Sequence, residues 1–497
     1  MTVHDVTQDR STALPGQRAS VTDSKPRGAA VHLSPRERAS RGLAARTTVP
    51  PGEHAELVLP ADRPHPVAVM EEQAVSRVPE LVPVRHGRMM VSPFTFYRGN
   101  AKGMAIDLAA SPTSGLPVQM CGDAHLSNFG VFASPERRLL FDVNDFDETL
   151  PGPWEWDVKR LAASIVVAGR GNGYPRKDRR KIVVAAVRRY RDAMARFAAM
   201  PTLGIWYARG EVDEVQRLVL SRLNARRKKN LDKTLAKARS NDSLKALSKL
   251  TATVDGQVRI KSDPPLLVPI ADLLPDNDRA ELADEIRGLL ARYRRSLPND
   301  RRALFDQFEF VDLARKVVGV GSVGTRCWIV LMRGRDENDP LFLQVKEAQA
   351  SVLKPHVPPA MRPRYTPKNE GERVVAGQRL MQAASDIFLG WERLQGMDGL
   401  QRDFYVRQLR DMKGSAVVEQ MDTTAATVYG QLCAWTLARA HARSGDAIAI
   451  SAYLGSDDTF PKAVATWAEL YADQNERDHT AFLEGVRDGR LVAETGL

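Results

Sequence analysis

Cysteine is scarce in this chain of 497 residues: Cys121, Cys327 and Cys433 are scattered and odd in number, which argues against structural disulfides and for a reducing, cytoplasmic setting. Histidine is sparse too, with 9 residues and no Cys/His cluster, so a structural zinc site is not expected. No apolar run approaches a bilayer crossing. The longest, LAASIVVAG at 161–169, is under half of the roughly 20 residues a span needs, and no transmembrane segment is expected. The N-terminus lacks the apolar core of a signal peptide, and no repeat of solenoid period is visible. What is present is an ordinary hydrophobic content of 43%, enough for two to four lobes. A formal charge of +11 leans toward anionic partners without choosing among nucleotides, phosphates, nucleic acid and acidic proteins.

Composition divides the chain. Residues 1–50 are rich in Ser, Thr, Arg, Gly and Pro, a mixture that buries too little surface to offset chain entropy, and read as a flexible arm, with order beginning near HAELVLP. SPFTFYRGNAKGMAIDLA reads as a loop entering a helix, and helical spacing recurs in WEWDVKRLAASIVVAGR and at 179–199. Within 201–310, residues 222–261 hold twelve Lys/Arg against three Asp. Blocks of like charge usually mark solvated faces, so a solvated helical hairpin is the first reading and an anion-docking surface the second. The absence of interleaved aromatics argues against nucleic acid. From 311 the pattern turns to strands: KVVGV, TRCWIVLM and LFLQVKEA form an antiparallel meander. Helical patterns return at 371–393 and 423–443, with DFYVRQL as a short strand between them.

Two segments carry the chemistry. GVGSVG at 319–324 fits G-x-G-x-x-G but lies between antiparallel strands, where no dinucleotide fold is possible. Its glycines, Gly319, Gly321 and Gly324, with Ser322, suit a turn that lays backbone amides over phosphates. The third strand then delivers Lys346, either toward a phosphate pair or, as an edge-strand residue, toward water. In CGDAHLSNFGVFASPERRLLFDVNDFDET, residues 121–149, Asp123 and Asn128 are five apart and His125 lies between them. VFASPERRLLFDV alternates as a hairpin with a Ser-Pro turn. A hairpin returns its ends to one place, so Asn128 and Asp145 can share a hard cation such as Mg²⁺. Asp142 reads as a turn or cap residue; Asp147 shares that reading or joins the metal set. Arg98 in FYRGN reads as packing through its stem or as a phosphate contact.

These residues resemble a known group. Cys121–Asn128 is similar to the H-G-D-x-H-x-x-N loop of aminoglycoside and choline phosphotransferases, and NDFDE to their I-D-F-D metal motif. From about 35 to 495, stretches such as RMMVSPFTFYRG, CGDAHLSNFG, DVNDFDET, QRLMQAASDIFLGW and YVRQLRDMKGS resemble the bacterial family called domain of unknown function 2252. The resemblance implies an α+β, two-lobed protein-kinase-like fold: an antiparallel-sheet nucleotide lobe and a mainly helical catalytic lobe. It implies ATP and Mg²⁺, with Asp123 as catalytic base, His125 bracing the loop, Asn128, Asp145 and Asp147 toward the metal, Lys346 on the phosphates, and Gly319, Gly321, Ser322 and Gly324 over them. Asp157 would tie down the catalytic loop. Cys121 stands where the phosphotransferases usually have His. Order departs as well, because the catalytic loop precedes the glycine turn, and a circular permutation is implied. The segments expected are an arm at 1–50, the first part of the catalytic lobe at 51–200, a helical region with the basic insertion at 201–310, a nucleotide lobe and hinge at 311–412, and the helical remainder at 413–497. A kinase lysine also needs an acidic partner, for which Glu370 and Glu372 are the candidates.

The expectation is an ATP- and Mg²⁺-dependent phosphotransferase acting on an unidentified small-molecule or protein hydroxyl. The alternatives are nucleotidyl transfer with ATP reversed, a non-catalytic nucleotide-binding or interaction protein, and a metal-dependent hydrolase built on Asp123, His125, Asp142 and Asp145.

Overall fold

The computed structural model describes residues 32–212, 225–240, 243–254, 256–273, 279–361, 366–395, 399–409 and 411–496. It is an α+β molecule whose sheets are antiparallel. The largest sheet has six strands in the order Gly390–Gln395, Gln401–Gln408, Pro340–Ala348, Cys327–Arg333, Glu309–Lys316, Leu267–Pro269. Glu309–Lys316, Cys327–Arg333 and Pro340–Ala348 form an antiparallel meander, the last two where TRCWIVLM and LFLQVKEA foretell strands.

Strand alternation gives the sheet two different faces. Along Pro340–Ala348, Leu341, Leu343 and Val345 join a cluster with Ile286, Leu290, Tyr293 and Leu297 of the helix Arg279–Ser296 and its end. The residues between them face the other way: Phe342 lies in an apolar cluster, then come Gln344 and Lys346. So this face turns from apolar to polar toward its end. Lys346 is on a central strand, paired with Cys327 on one side and Tyr405 on the other, and is 2% exposed. The edge-strand reading is thereby corrected.

The helical body is built around Trp154–Gly171, which is buried on every side from Trp154 through Gly169. A helix buried all round must find partners for its polar residues, here Glu155, Asp157, Lys159, Arg160 and Ser164. It packs with Arg176–Ala198, Thr423–Ser444 and Thr459–Arg487. One continuous core joins residues between 94 and 238 to residues between 348 and 472. Asp142 on the strand Leu139–Val143 and Arg439 on Thr423–Ser444 form an ion pair across it, 2.6 Å long with both side chains 1% exposed. Asp142 is thus a structural residue, also accepting from the amides of Val143 and Ala383.

Several boundaries differ from the sequence reading. Helix begins at Pro35, before the expected end of the arm at 50: Pro35–Thr48 starts with a Ser34/Glu37 capping box and lies on Ala447–Leu454. Only Gly42 of this helix is buried, so apolar periodicity could not announce it. Residues 1–31 of the arm fall outside the described residues. The helix expected over 371–393 stops at Met381, and Gly390–Gln395 is a strand pairing Trp391 with Tyr405. KVVGV is not a strand of its own, because Glu309–Lys316 ends where the glycine turn begins. SPFTFYRGNAKGMAIDLA forms two short helices, Pro93–Gly99 capped by Ser92 and Ala101–Ala109 capped by Asn100.

The basic insertion, where described, comprises helices Ala225–Arg239 and Ser243–Leu250 and a hairpin, Thr251–Val254 with Gln257–Ile260. Ala246, Leu250 and Ile260 pack on Phe342, Ile329 and Leu331 of the sheet, while Lys229, Lys233, Lys237, Arg239, Lys245, Lys249, Arg259 and Lys261 are exposed. The charge run is the outer face of a packed layer. The tail returns to the helix Val82–Met90: the amide of Glu494 donates to Pro83 O at 2.9 Å, and His86 Nδ1 lies 2.7 Å from Val492 O. Among the described residues no helix is long and apolar enough to cross a membrane.

Candidate functional site

The strand Pro117–Met120, paired with Leu150–Pro153, delivers the chain to Cys121. Asp157, in the first turn of the buried helix, receives the amides of Cys121 and Gly122 at 2.8 and 3.0 Å. It is held in turn by His441, whose Nε2 is 3.1 Å from Asp157 Oδ2 while Nδ1 is 2.8 Å from Tyr190 Oη. An imidazole therefore braces this loop from outside it. It comes from LARAHAR, more than three hundred residues further along the chain.

The loop closes on itself. His125 N donates to Asp123 O at 2.8 Å, and Asn128 Nδ2 donates to the same carbonyl at 2.7 Å. Asn128 thus commits its amino group to the loop and keeps its Oδ1 for another partner. The hairpin Phe129–Ala133 with Leu139–Val143 then returns the chain, and Asn144 N donates to Asn128 O at 2.8 Å. Two-residue periodicity within a single hairpin is what brings Asp145 beside Asn128.

Each carboxylate here has its own surroundings. Asp123 Oδ1 is gripped by Arg160, with Nε at 2.8 Å and Nη2 at 2.6 Å. Its Oδ2 faces His125 Nε2 at 3.5 Å. Burial raises the Asp123 pKa, Arg160 opposes, and the nearby Asp145 charge raises it further. Burial, then Arg160 and Arg98, push His125 well below the ordinary histidine range, so its ring is neutral. For Asp145, burial is outweighed by Lys346, Arg407 and Lys413, which hold the carboxyl at about 2. Asp147 moves up, through burial and the Asp145 charge, against Lys346 and Tyr405.

Lys346 bonds Asp147 Oδ2 at 2.6 Å and lies 3.8 Å from Asp145 Oδ2. Tyr405 Oη donates to Asp147 Oδ1 at 2.6 Å. Both oxygens of Asp147, expected near a metal, are therefore taken up within the protein, and Asp147 is the acidic partner of the lysine. Neither Glu370 nor Glu372 has that place: Glu370 pairs with Arg373 and Lys354, and Glu372 accepts from Lys368 N at 2.5 Å.

These groups border a cavity of about 340 Å³. Asp123, His125, Asn128, Asp145, Asp147 and Glu148 line it together with Gly319, Gly321 and Ser322 of the glycine turn. Lys346 stands behind Asp147 and does not line it. Gly324 does not line it either; at φ +87° it accepts from Val78 N at 2.8 Å and lies against the Arg77 stem. The turn is fastened to the helical segment that precedes the loop Cys121–Asn128. Arg88 Nη1 donates to Gly319 O at 2.7 Å, Arg77 donates to Val323 O, and Val320 and Val323 enter apolar clusters with Phe96 and Val84. Glu148 adds a carboxyl that burial pushes up to about 7.

Asn128 Oδ1 and the Asp145 carboxylate supply two hard oxygen donors, a set that suits Mg²⁺ when phosphate oxygens and water complete the shell. Among the described residues no group of three or more His, Cys, Asp or Glu converges as a metal site. Asp142 is committed to Arg439 and so does not join Asp123, His125 and Asp145 at the cavity.

Sequence reasoning missed Arg160, His441, Tyr405, Arg77 and Glu148. Glu148 is the last residue of the NDFDE stretch itself. The others lie in unrelated stretches and become visible only when the chain is folded.

The profile of a family described as an uncharacterized protein conserved in bacteria, DUF2252, matches residues 77–485. Neither a curated protein nor a solved structure matches the chain. The matched region spans the catalytic-type loop, the metal-type aspartates, the glycine turn and Lys346, and the chain belongs to the bacterial DUF2252 family.

Proposed function

We propose that this protein is a Mg²⁺-dependent phosphotransferase that moves a phosphoryl group from ATP to a hydroxyl acceptor, on a circularly permuted kinase-like frame. One observation carries the reading: Asp123, Asn128 and Asp145 border the same cavity as Gly319, Gly321 and Ser322, although nearly two hundred residues separate the two segments. The sheet would then be the nucleotide lobe and the helical body the catalytic lobe.

In this reading Arg160 fixes Asp123 Oδ1, so that Oδ2 receives the acceptor's proton as its oxygen bonds the γ-phosphorus. The bond to the β,γ-bridging oxygen breaks, and ADP leaves with that electron pair. Asn128 and Asp145 would hold Mg²⁺, which when bound neutralises charge on the phosphates. Lys346 bonds Asp147 and by its own charge keeps Asp145 ionised. The glycine turn presents amides without side chains, and its anchoring by Arg88 and Arg77 preorganises them.

A second reading, nucleotidyl transfer with ATP reversed, is favoured by one feature. The strand Gln401–Gln408, which would lead into a hinge, contributes no residue to the cavity, whereas Arg77 and Arg98 do. Label from α- rather than γ-labelled ATP on the product distinguishes it.

Calorimetric titration of MgATP into the wild type, Asp145→Asn and Lys346→Ala tests the site. Mg²⁺-dependent binding weakened at least about tenfold in both variants is the expected outcome. No binding to the wild type sinks the phosphotransferase reading.

A further inference from the structure

Among the described residues two arginines line this cavity, Arg77 and Arg98, and Arg77 donates to Val323 O, while the arginines on the elements around it are engaged elsewhere. Arg160 holds Asp123 and donates to Tyr97 O at 2.8 Å. Arg88 holds Gly319 O, Arg85 donates to Gly99 O at 2.8 Å and Gln73 at 3.0 Å, and Arg373 bonds the carbonyls of Thr149, Asp147 and Gln349. Arg98 differs. It lines the cavity with Asp123, His125 and Asn128, and its guanidinium makes no hydrogen bond or ion pair at any nitrogen among the described residues, whereas Arg77 and Arg85, each with an unpartnered Nε as well, still bond through their other nitrogens. A partly buried guanidinium left unbonded is a donor set awaiting an acceptor.

Its surroundings say what that acceptor is. Arg98 ends the helix Pro93–Gly99, which Ser92 and Thr95 cap reciprocally at 3.1 and 2.9 Å, so its backbone is fixed. The tip of the glycine turn rests on that backbone: a Cβ at Gly321 would come 3.1 Å from Arg98 O. The amides of Gly321 and Ser322 make no hydrogen bond among the described residues. A planar cation and free backbone amides thus border one volume, with Asp123 across it. Such a set matches a tetrahedral dianion in charge and in the number of acceptor lone pairs.

We propose that Arg98, together with the amides of Gly321 and Ser322, seats the terminal phosphoryl group of the nucleoside triphosphate. This rests on the nucleotide reading above and adds to it the residue that distinguishes triphosphate from diphosphate. Arg98 lines the cavity together with the turn and the catalytic-type loop, so a phosphate bound to it would tie them together.

Calorimetry with MgATP and MgADP on the wild type, Arg98→Gln and Arg98→Lys tests this, with thermal melts to show that each variant is folded. Arg98→Gln is expected to weaken MgATP at least about tenfold while MgADP stays within about twofold, and Arg98→Lys to fall between. If the glutamine variant weakens both nucleotides equally, or neither, Arg98 does not hold the terminal phosphate and the nucleotide site stands without it. If the wild type binds neither nucleotide, both readings fall together.

Discussion

Arg160 and Asp123 show how much one pair can decide. The guanidinium is 3% exposed, stacks 3.9 Å from the Tyr97 ring centroid and occupies a single oxygen of Asp123. Arg160→Met would leave that carboxylate oxygen without its donor and Tyr97 O with only the Asn100 amide at 3.3 Å, and a loss of about 3–5 kcal/mol in urea unfolding is expected, as for a broken buried pair. Lys159, one residue earlier, makes the opposite case. It is fully buried, its Nζ lies 4.9 Å from the Trp467 ring centroid, and it has no hydrogen bond among the described residues. Burial pushes it down to about 7, against the pull of Glu155. Between that value and the unfolded lysine's pKa of about 10.4, the unfolded chain binds the extra proton, so this residue's penalty shrinks as pH rises through that window. Lys159→Met is expected to be more stable by a few kcal/mol at pH 7, with the difference from wild type closing toward pH 10 in urea melts. Sequence alone showed Asp123, Asn128 and Asp145, because one hairpin holds them. It could not show Arg160 or Lys159, whose helix reads as an ordinary amphipathic one until its burial on all sides is seen.

The glycine turn is the element on which the reading depends most. Gly319 and Gly324 have φ of +69° and +87°, which any side chain would strain, but Gly321 is required for closeness to Arg98. Gly321→Val is expected to lift the turn, weakening MgATP about tenfold in calorimetry while the melting temperature moves by no more than about 3 °C. The turn and meander were legible because glycine punctuates β-branched runs. Its fastening to Arg88 and Arg77 was not, since no local pattern joins positions more than two hundred residues apart. The helix Pro35–Thr48 escaped notice for a related reason: it is held by its cap, a close glycine contact and the Arg38–Asp446 pair at 2.8 Å, none of which leaves an apolar stripe. At 371–393 helical spacing simply ran on past Met381, where pairing with Gln401–Gln408 overrides it.

Across the whole molecule, the helical core is assembled from two distant parts of the chain. Trp154–Gly171 and Arg176–Ala198 bury themselves against Thr423–Ser444 and Thr459–Arg487, and Asp142 finds Arg439 only across that gap. A fragment ending at residue 310 is therefore expected to lack a cooperative transition in circular dichroism melts, whereas the full chain shows one. Periodicity announced the helix Trp154–Gly171 and the strands Cys327–Arg333 and Pro340–Ala348, but not this interleaving, because pattern reports which residues are buried and not against what.

The tail's contacts with Val82–Met90 have a mechanical meaning. Glu494 and Val492 bond Pro83 and His86, and the same short helix sends Arg85 to Gly99 and Arg88 to Gly319. A load applied at the chain's end would pass through two hydrogen-bonded links to the glycine turn, which makes the tail a lever on the cavity's roof.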